Sequence, residues 1–394
     1  MKIAFYVQRV ASAPGFRNNI SAHVQLPVKT MLLLRERGHD VELITTEFGA
    51  DLELPEIIDD SFTIRQVPYG TKQGGQLVMY SGRIPGIRPI QLIKQIVALM
   101  RICRTQRYDI IHLSGGLGVA KLACALGVLG IRIPFVMSMS HSPDRLSWMN
   151  RYILHKMDAL LASTDFVAEG CRQQGFRTVA IKHGIAKSAA LHLKAEEGVA
   201  WKDRKRILFW RDPDSENGAD IALTVFKRVA PEFPSIQFTF ATRPHWAPVE
   251  GLKEASEQFA NIEYLSFPYA EGITIEGLLE ESLCAVLPFR SLSTNPQLAV
   301  LESMAAGCVV ITTSIESNPE MIDSGKDGFL VPRGNTDEIE RIIRELLRSP
   351  AEYNEVSQHA RRRSVDNSDW NVYGDLVEAL YVQVADKPSI DCMC

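Results

Sequence analysis

The sequence predicts an α/β protein with two doubly wound, Rossmann-like domains, each built on a mainly parallel sheet. Short apolar runs rich in β-forming residues alternate with helical patterns, as in parallel sheets whose two faces are covered by helices. This alternation runs through the first half of the chain, stops at a polar segment and then starts again. A length of 394 residues fits two domains of ordinary size.

Buried strands of the first domain are expected at the apolar runs 2–7, 40–46, 108–114, 134–140, 159–164 and 178–184. Amphipathic patterns between them predict helices at 20–37 and 89–107. The polar segment 186–204 is the predicted join, so the first domain is expected to cover 1–190 and the second 191–370.

The second domain repeats the pattern, with strands expected at 206–211, 236–242, 262–267, 284–289 and 309–314 and a helix at 218–233. The pattern "NVYGDLVEALYVQV" then predicts a terminal helix at 371–386 that packs back on the first domain, followed by a tail at 387–394. Open α/β sheets bind ligands beyond the carboxyl ends of their strands, so functional residues are expected in the loops after those strands.

Composition excludes several classes of protein. With 46% hydrophobic and 23% charged residues, the chain is typical of a soluble globular protein. It contains no run of 18 apolar residues, and its start, "MKIAFYVQRV", lacks a signal-peptide pattern, so we expect a cytoplasmic protein. The seven cysteines have neither the spacing of a zinc site nor that of a disulfide framework.

Charge is distributed unevenly along the chain. Residues 1–190 carry 23 Lys and Arg against 14 Asp and Glu, whereas the remainder carries 20 against 33. The basic stretch 83–107 has two interpretations. In the first, it is a core helix with a solvated basic face. In the second, it binds an anionic membrane or a phosphate-bearing acceptor, and the protein would then be peripheral at the inner face of the membrane. No nucleic acid is expected as a partner, because no aromatic residues are interleaved for base stacking.

The stretch "TNPQLAVLESMAAG" predicts a helix with well-defined ends. Asn295 suits the N-cap, Pro296 the first helical position and Gly307 the position after the last turn. Glu302 falls on the apolar stripe that is expected to face the core. Either this carboxylate leans out at the helix edge and pairs with an arginine, or it binds ribose hydroxyls while the positive end of the helix binds a diphosphate.

The segment "LAVLESMAAGCVVITTSIESNPEMIDSGKDGFLVPRGNTDEIERIIRELL" resembles the donor-binding half of glycosyltransferase family 4, whose members are retaining enzymes of GT-B fold. The similarity covers about 55 residues. It comprises the second glutamate of a Glu-x7-Glu pattern, a helix end of small residues, a "VV" strand, a "PE" turn and "G-x-x-G-x-L-V". It implies two domains facing across a cleft, with the nucleotide-sugar donor on the second and the acceptor on the first.

The resemblance also implies roles for individual residues. Glu302 would bind the nucleotide ribose, and the turn that holds Glu320 would line the donor site. His141, at the end of "PFVMSMSH", would contact the donor sugar near the reacting carbon, and Arg211 would bind the diphosphate. The loop after the first strand would approach donor phosphate and acceptor, with Gly15, Arg17 and Asn19 as candidates.

Two positions depart from the family pattern. Thr294 stands where the first motif glutamate is expected, so a neutral hydroxyl replaces a carboxylate near the reacting carbon. Asn217 stands where a lysine usually accompanies Arg211, and Arg290 is a candidate to replace that cation. The rebuilt loop would then act through Thr294, Asn295 and the backbone N–H groups near Gln297 and Leu298.

The resemblance implies a metal-independent, retaining hexosyltransferase that moves a sugar from a nucleotide-sugar to a carbohydrate, lipid-linked or small-molecule hydroxyl. No metal or other cofactor is expected, and "DPD" at 212–214 is assigned to the loop after Arg211. Two alternatives remain open. One is a nucleotide-sugar epimerase on the same fold. The other is a non-catalytic GT-B scaffold or partner protein, which the changes at Thr294 and Asn217 favour.

Overall fold

The structure, a computed structural model, describes residues 1–8, 10–11, 22–48, 52–56, 58, 61–68, 89–143, 146–185, 200–242, 247–366 and 369–386. These residues form two compact units, each with its own parallel sheet. The first comprises Met1–Lys182 and the chain from Trp370 onward, and the second comprises His183–Asp369. The division falls before the predicted join at 190–191, because Ile185 already packs in the core of the second unit.

The sheet of the first unit has seven strands: β1 Lys2–Val7, β2 Asp40–Thr46, β3 Thr63–Val67, β4 Ile110–Ser114, β5 Phe135–Met139, β6 Ala159–Ala162 and β7 Thr178–Ala180. Their order is β3-β2-β1-β4-β5-β6-β7, and every neighbouring pair is parallel. Because both faces are covered, the inner strands are almost continuously apolar, as in the "KIAFYV" of β1.

The sheet of the second unit has six strands: β8 Arg206–Phe209, β9 Gln237–Thr242, β10 Ile262–Ser266, β11 Ser282–Leu287, β12 Val309–Thr313 and β13 Phe329–Val331. Their order is β10-β9-β8-β11-β12-β13, again with parallel neighbours throughout. The order reverses direction beside β8, and such a switch point in an open parallel sheet opens a crevice for ligands.

The helices connect these strands and cover both sheets. Those of the first unit are α1 Ala22–Glu36, α2 Pro89–Gln106, α3 Leu117–Val128, α4 Trp148–His155 and α5 Asp165–Gln173. Those of the second unit are α6 Ala219–Val229, α7 Leu252–Gln258, α8 Ile275–Glu280, α9 Leu298–Ala305, α10 Asn318–Met321, α11 Thr336–Arg348 and α12 Asn354–Asp366. The terminal helix, α13 Trp370–Ala385, returns to the first unit. No helix in the described part of the chain is long and apolar enough to cross a bilayer.

Each sheet lies between two hydrophobic cores. In the first unit, α2 to α5 pack on one face and α1 and α13 on the other. In the second unit, α6, α7 and α11 cover one face, while α8, α9, α10 and α12 contribute to the core on the other. The doubly wound arrangement of two parallel sheets that the apolar runs predicted is therefore confirmed.

The terminal helix α13 packs against α1. The hydroxyls of Thr30 and Tyr373 lie 3.0 Å apart in this contact. Arg37, just after α1, donates to Asp375 at 2.6 Å and to Glu378 at 2.8 Å. These contacts fix the last helix on the first sheet, although the chain has passed through the whole second unit before reaching it.

Each predicted strand is present, but the sequence analysis missed β3 and β13. β3, "TIRQV", is an edge strand with polar side chains, so it lacks the continuous apolar run of the inner strands. β13 has only three residues and also lies at a sheet edge. A search for apolar runs detects strands buried on both faces and overlooks short or half-exposed edges.

Candidate active site

Three loops of the second unit follow neighbouring strands, namely β8, β11 and β12. We call them the first, second and third loops. Because the strands are parallel, all three loops lie at the carboxyl edge of the sheet, where open α/β sheets bind ligands. The first loop holds Arg211 and Asn217, and the second holds Arg290, Thr294 and Asn295.

The first and second loops touch at Gly218. Its φ of +81° is left-handed, and a Cβ atom placed there would lie 2.1 Å from the carbonyl oxygen of Pro288. The carbonyl oxygen of Glu216 also accepts hydrogen bonds from the backbone N–H groups of Arg290 at 2.9 Å and Ser291 at 3.4 Å. Only glycine permits this approach, because any side chain would collide with the opposite backbone.

Arg211 extends from the end of β8 to both of these loops. Its Nε donates to Asn217 Oδ1 and its Nη2 to Ser293 Oγ, each at 3.4 Å. Asn217 is itself held by Asp214, whose Oδ1 accepts from the backbone N–H and the Nδ2 of Asn217 at 2.9 Å each. The structure thus brings together Arg211, Asn217 and the residue that precedes Thr294.

Arg290, the candidate replacement cation, forms a two-pronged ion pair with Asp220. Its Nη1 and Nη2 donate to the two carboxylate oxygens at 2.5 and 2.6 Å, and Nη1 also donates to the carbonyl oxygen of Ser215. Burial opposes ionisation of Asp220, but the hydrogen bonds and charge of Arg290 outweigh it and lower the pKa of that carboxyl. Arg290 therefore ties the second loop to the start of α6, and a phosphate would have to compete with Asp220 for it.

The predicted start of the helix after the second loop is wrong. Helix α9 begins at Leu298 instead of Pro296, and Gln297 occupies the N-cap position. Asn295 does not cap the helix because its amide is engaged with the third loop. Its Nδ2 donates to Glu316 Oε2 at 2.8 Å, and its Oδ1 accepts from the N–H and the hydroxyl of the residue after Glu316.

The side chain of Gln297, the N-cap residue, makes no capping hydrogen bond to the first turn of α9. Gln297 is only 2% exposed, and its Nε2 has no hydrogen-bond partner among the described residues. Thr294 Oγ1 donates back to the carbonyl oxygen of Pro296 at 3.3 Å. The helix start thus offers backbone N–H groups, a buried amide and a positive dipole end, which together suit an anion.

Glu302 lies on the less buried part of α9. Six residues of the helix are buried, whereas Leu298 and Glu302 are half-buried. The predicted apolar stripe does face the core, because Leu301 and Ala305 are buried and Leu298 packs against that core, while Glu302 lies half-buried about one turn beyond the helix start. Trp210 Nε1 donates to Ser303 Oγ at 2.9 Å and so holds α9 against the end of β8, where Arg211 follows.

The third loop contributes Glu316, a residue that the sequence analysis did not single out. Its φ of +46° lies in the left-handed region, which is strained for any residue except glycine. Its carboxylate accepts from the backbone N–H of Leu292 at 3.3 Å and from Asn295 at 2.8 Å, so it joins the third loop to the second. No local sequence pattern signals this role, because the partners come from another loop.

The remaining predicted residues occupy other positions. Glu320 is half-buried in α10, and its backbone carbonyl accepts from Arg363 at 2.9 Å. His141 is exposed after β5 of the first unit, with its Nδ1 3.1 Å from Ser140 Oγ. The described residues contain no group of three or more His, Cys, Asp or Glu side chains that could hold a metal ion. Three further candidates, Gly15, Arg17 and Asn19, lie outside the described residues.

Another histidine, His112 in the middle of β4, is part of the core of the first unit. Its Nδ1 is hydrogen-bonded to the hydroxyl of Tyr381, and its Nε2 lies 2.7 Å from Ser138 Oγ. The ring also stacks on Phe5. Burial lowers the pKa of His112 to about 3, so the ring is neutral in the folded protein and serves packing.

Comparison with known proteins identifies the family. Residues 204–349 match the family described as glycosyl transferases group 1, and residues 30–182 match the glycosyl transferase 4-like domain. The chain belongs to glycosyltransferase family 4. Among curated family members, the MMP alpha-(1->4)-mannosyltransferase of Mycolicibacterium hassiacum is 28% identical over 115 residues. That match spans 27% of this chain and only 28% of the mannosyltransferase.

Solved structures of glycosyltransferase fold resemble the whole chain. Sucrose-phosphate synthase from Thermosynechococcus elongatus has a TM-score of 0.71 at 16% identity, and the match covers 98% of this chain and 99% of the synthase. HepE of Anabaena in complex with UDP-glucose has a TM-score of 0.68 at 13% identity, with 97% and 100% of the two chains covered. At such low identity these likenesses establish the GT-B fold of the family 4 chain.

Proposed function

We propose that this family 4 protein is a retaining glycosyltransferase that moves a sugar from a nucleotide-sugar donor to a hydroxyl acceptor. One observation carries the proposal. The uncapped start of α9 lies at the carboxyl edge of the second sheet, with Glu302 one turn further along and Arg211 hydrogen-bonded to the loop that precedes the helix. A nucleoside diphosphate needs an anion site and a ribose site in one crevice, and this edge offers a group for each.

The diphosphate would bind at the start of α9. The backbone N–H groups of the first turn, the Nε2 of Gln297 and the guanidinium of Arg211 all donate hydrogen bonds, and phosphate oxygens accept them. Glu302 lies four residues after Leu298, which is about 6 Å along the helix axis. That separation suits a ribose whose hydroxyls donate to the Glu302 carboxylate while its phosphates occupy the helix start.

In the transfer step, the bond between the sugar C1 and the phosphate oxygen breaks while the acceptor oxygen bonds to C1. A retaining reaction by front-face attack sends the acceptor proton to the leaving phosphate oxygen. Arg211 and the positive end of α9 would stabilise the charge that develops on the diphosphate, so the reaction would need no metal ion. Thr294 can offer the sugar only a hydroxyl, and His141 is a second candidate to contact it.

The proposed donor sugar is a hexose, and the proposed acceptor is a carbohydrate, a lipid-linked molecule or a small molecule. The similar Anabaena structure holds UDP-glucose, and the Mycolicibacterium hassiacum relative is named as a mannosyltransferase. The first unit would bind the acceptor, because the groups suited to the nucleotide all lie in the second.

The decisive experiment is a calorimetric titration of the protein with the UDP, GDP and ADP conjugates of glucose and mannose, with and without EDTA. We expect one nucleotide to bind saturably and EDTA to have no effect. Glu302→Gln should weaken binding by at least about tenfold, since charge-assisted hydrogen bonds contribute roughly 1.5–3 kcal/mol each. Glu254→Gln, an exposed glutamate in the first turn of α7, is the matched control and should leave binding unchanged.

The same experiment separates the alternatives. A nucleotide-sugar that binds and is converted without any acceptor would indicate an epimerase. Failure of every conjugate to bind would favour the non-catalytic GT-B protein, because Thr294 and Asn217 would then mark a disabled site. Transfer with retention of the anomeric configuration, measured by NMR of the product, would establish the proposed reaction.

A further inference from the structure

We propose that the first unit docks on anionic membranes through the outer surface of α2, α3 and α4, which we call the docking face. These helices cover one side of the first sheet, and α3 packs against both of its neighbours. Apolar side chains protrude from this surface. Ile90 is 68% exposed, Ile93 60% and Trp148 81%. Large apolar side chains exposed together on neighbouring helices indicate a surface that meets another apolar phase or partner.

The exposed apolar residues of α2 follow the helical repeat. Ile90, Ile93 and Val97 are spaced i, i+3 and i+7, so they form one outward stripe. The opposite side of α2 packs Leu99 and Cys103 into the core. This helix therefore has two apolar sides, and the described part of the protein covers only one of them.

Helix α4 continues the apolar part of the docking face. Trp148, Met149 and Tyr152 are all exposed, although they lie within two turns of one helix. Tryptophan and tyrosine are the side chains that favour the headgroup level of a bilayer, because each combines an apolar ring with one polar atom. Their position on α4 gives the docking face the composition of a membrane interface.

The charge of the docking face indicates which kind of partner fits it. Helices α2, α3 and α4 contain no Asp or Glu. The exposed charged residues on these helices include Lys94, Arg101, Arg104 and Lys121. Apolar side chains surrounded by Lys and Arg fit an anionic bilayer, since the former enter the acyl boundary while the latter bind lipid phosphates. An anionic lipid surface therefore complements both the apolar side chains and the positive charge of this face.

The opposite side of the same sheet provides an internal comparison. Val372 and Leu376 of α13 are also about half exposed, but Asp375 and Glu378 lie beside them on that helix. Arg37 pairs with both carboxylates, but α13 itself carries no Lys or Arg that could bind lipid phosphates. The two faces thus expose similar apolar groups, but α2, α3 and α4 carry basic residues and no carboxylate, whereas α13 carries carboxylates and no basic residue. Helix α13 therefore serves as the control.

The position of the docking face suits a lipid-linked acceptor, a point that rests on the proposed function. Helices α2 and α4 each run toward the start of the parallel strand that follows, β4 and β6 respectively. Their first turns, with Ile90 and Trp148, therefore lie at the carboxyl edge of the first sheet, where an acceptor would bind. A membrane at the docking face would present an embedded hydroxyl acceptor beside that edge.

Vesicle sedimentation of the full chain tests the docking face. Vesicles with about 30% phosphatidylglycerol should bind the protein, and pure phosphatidylcholine vesicles should bind it at least tenfold more weakly. Ile93→Glu with Trp148→Glu should reduce binding to anionic vesicles at least tenfold, whereas Val372→Glu with Leu376→Glu should leave it unchanged. Arg101→Gln with Arg104→Gln should reduce it about twenty-fivefold, because about 1 kcal/mol per basic residue corresponds to about fivefold each.

Several outcomes would overturn the proposal. The first is equally weak binding of the protein to both kinds of vesicle. The second is an equal loss of vesicle binding in Ile93→Glu with Trp148→Glu and in Val372→Glu with Leu376→Glu. The third is a wild-type protein that is a dimer and does not bind vesicles, and that Ile93→Glu with Trp148→Glu converts to a monomer. The last result would assign the face to a second copy of this chain. Donor binding is a separate matter: Glu302→Gln should bind vesicles like the wild type, so the membrane and donor proposals fail independently.

Discussion

Replacing Gly218 by alanine tests the close contact between the first and second loops. Gly218 and Gly251 share a φ of +81°, and both precede a helix of the second unit. They differ in their surroundings. A Cβ at Gly218 would lie 2.1 Å from the carbonyl oxygen of Pro288, whereas a Cβ at Gly251 would have no neighbour nearer than Leu223 at 4.0 Å. Comparing the alanine variants of these two glycines therefore separates the free-energy cost of the backbone conformation from the cost of the steric collision.

The expected magnitudes follow from these distances. Alanine in a left-handed conformation costs roughly 1–2 kcal/mol, so Gly251→Ala should lower the Tm by about 2–8 °C in a domain of this size. Gly218→Ala carries the same cost and must also move the loops apart by about 1.3 Å, since ordinary contacts begin at 3.4 Å. A misplacement of about 1 Å at a reacting site can cost about a hundredfold in rate, so we expect a large loss of activity.

The assay compares both variants with the wild type by thermal unfolding, by calorimetry with the donor that the nucleotide panel identifies, and by transfer rate. Gly251→Ala should lose stability but keep donor affinity and rate. Gly218→Ala should lose more stability, bind the donor at least about tenfold more weakly and react about a hundredfold more slowly. Equal donor affinity and rate in the two variants would refute the view that this loop contact shapes the site.

Two further predictions concern the first unit. Tyr6 is 1% exposed and its hydroxyl has no partner among the described residues, so Tyr6→Phe should raise the free energy of unfolding by about 1–3 kcal/mol. A lower Tm, or a lower midpoint of urea denaturation, would show that the Tyr6 hydroxyl has a hydrogen-bond partner in solution. His112 has a pKa of about 3 when folded against 6.5 unfolded, so stability is fully present above pH 6.5 and declines as pH falls toward 3. Between pH 6.5 and 5 the wild type should lose about 2 kcal/mol more than His112→Gln, and parallel pH profiles would contradict this.

Most of the fold could be predicted from the sequence, because parallel sheets covered on both faces require continuously apolar strands. Runs such as "KIAFYV" and "CAVLPF" gave the inner strands of both sheets directly. The same logic failed at β3 and β13, whose edge positions relax the demand for apolar residues on both faces. The family 4 assignment was also accessible, because the segment that follows Glu302 carries a dense pattern within one stretch of chain.

The candidate site could be predicted from the sequence only in part. Glu302 and Arg211 stand in recognisable local patterns, and the structure shows a helix start near which both lie. The helix start itself was misplaced by two residues, because Asn295 has the chemistry of an N-cap but its amide is hydrogen-bonded to the third loop. Whether a polar side chain caps its own helix or binds a distant loop depends on which partner the fold brings within hydrogen-bond reach.

The sequence by itself determined the fold class, the family and the short list of groups proposed to bind a nucleotide-sugar, since these depend on local patterns of apolar, small and charged residues. Only the tertiary structure decided how those groups are used. It paired Arg290 with Asp220, joined Glu316 to Asn295, left Glu302 half-buried in its helix and left Ile93 and Trp148 exposed on one side of the first sheet. These outcomes depend on contacts between segments far apart in the chain, and a hydrogen bond or an apolar surface is defined only when both of its sides are in place.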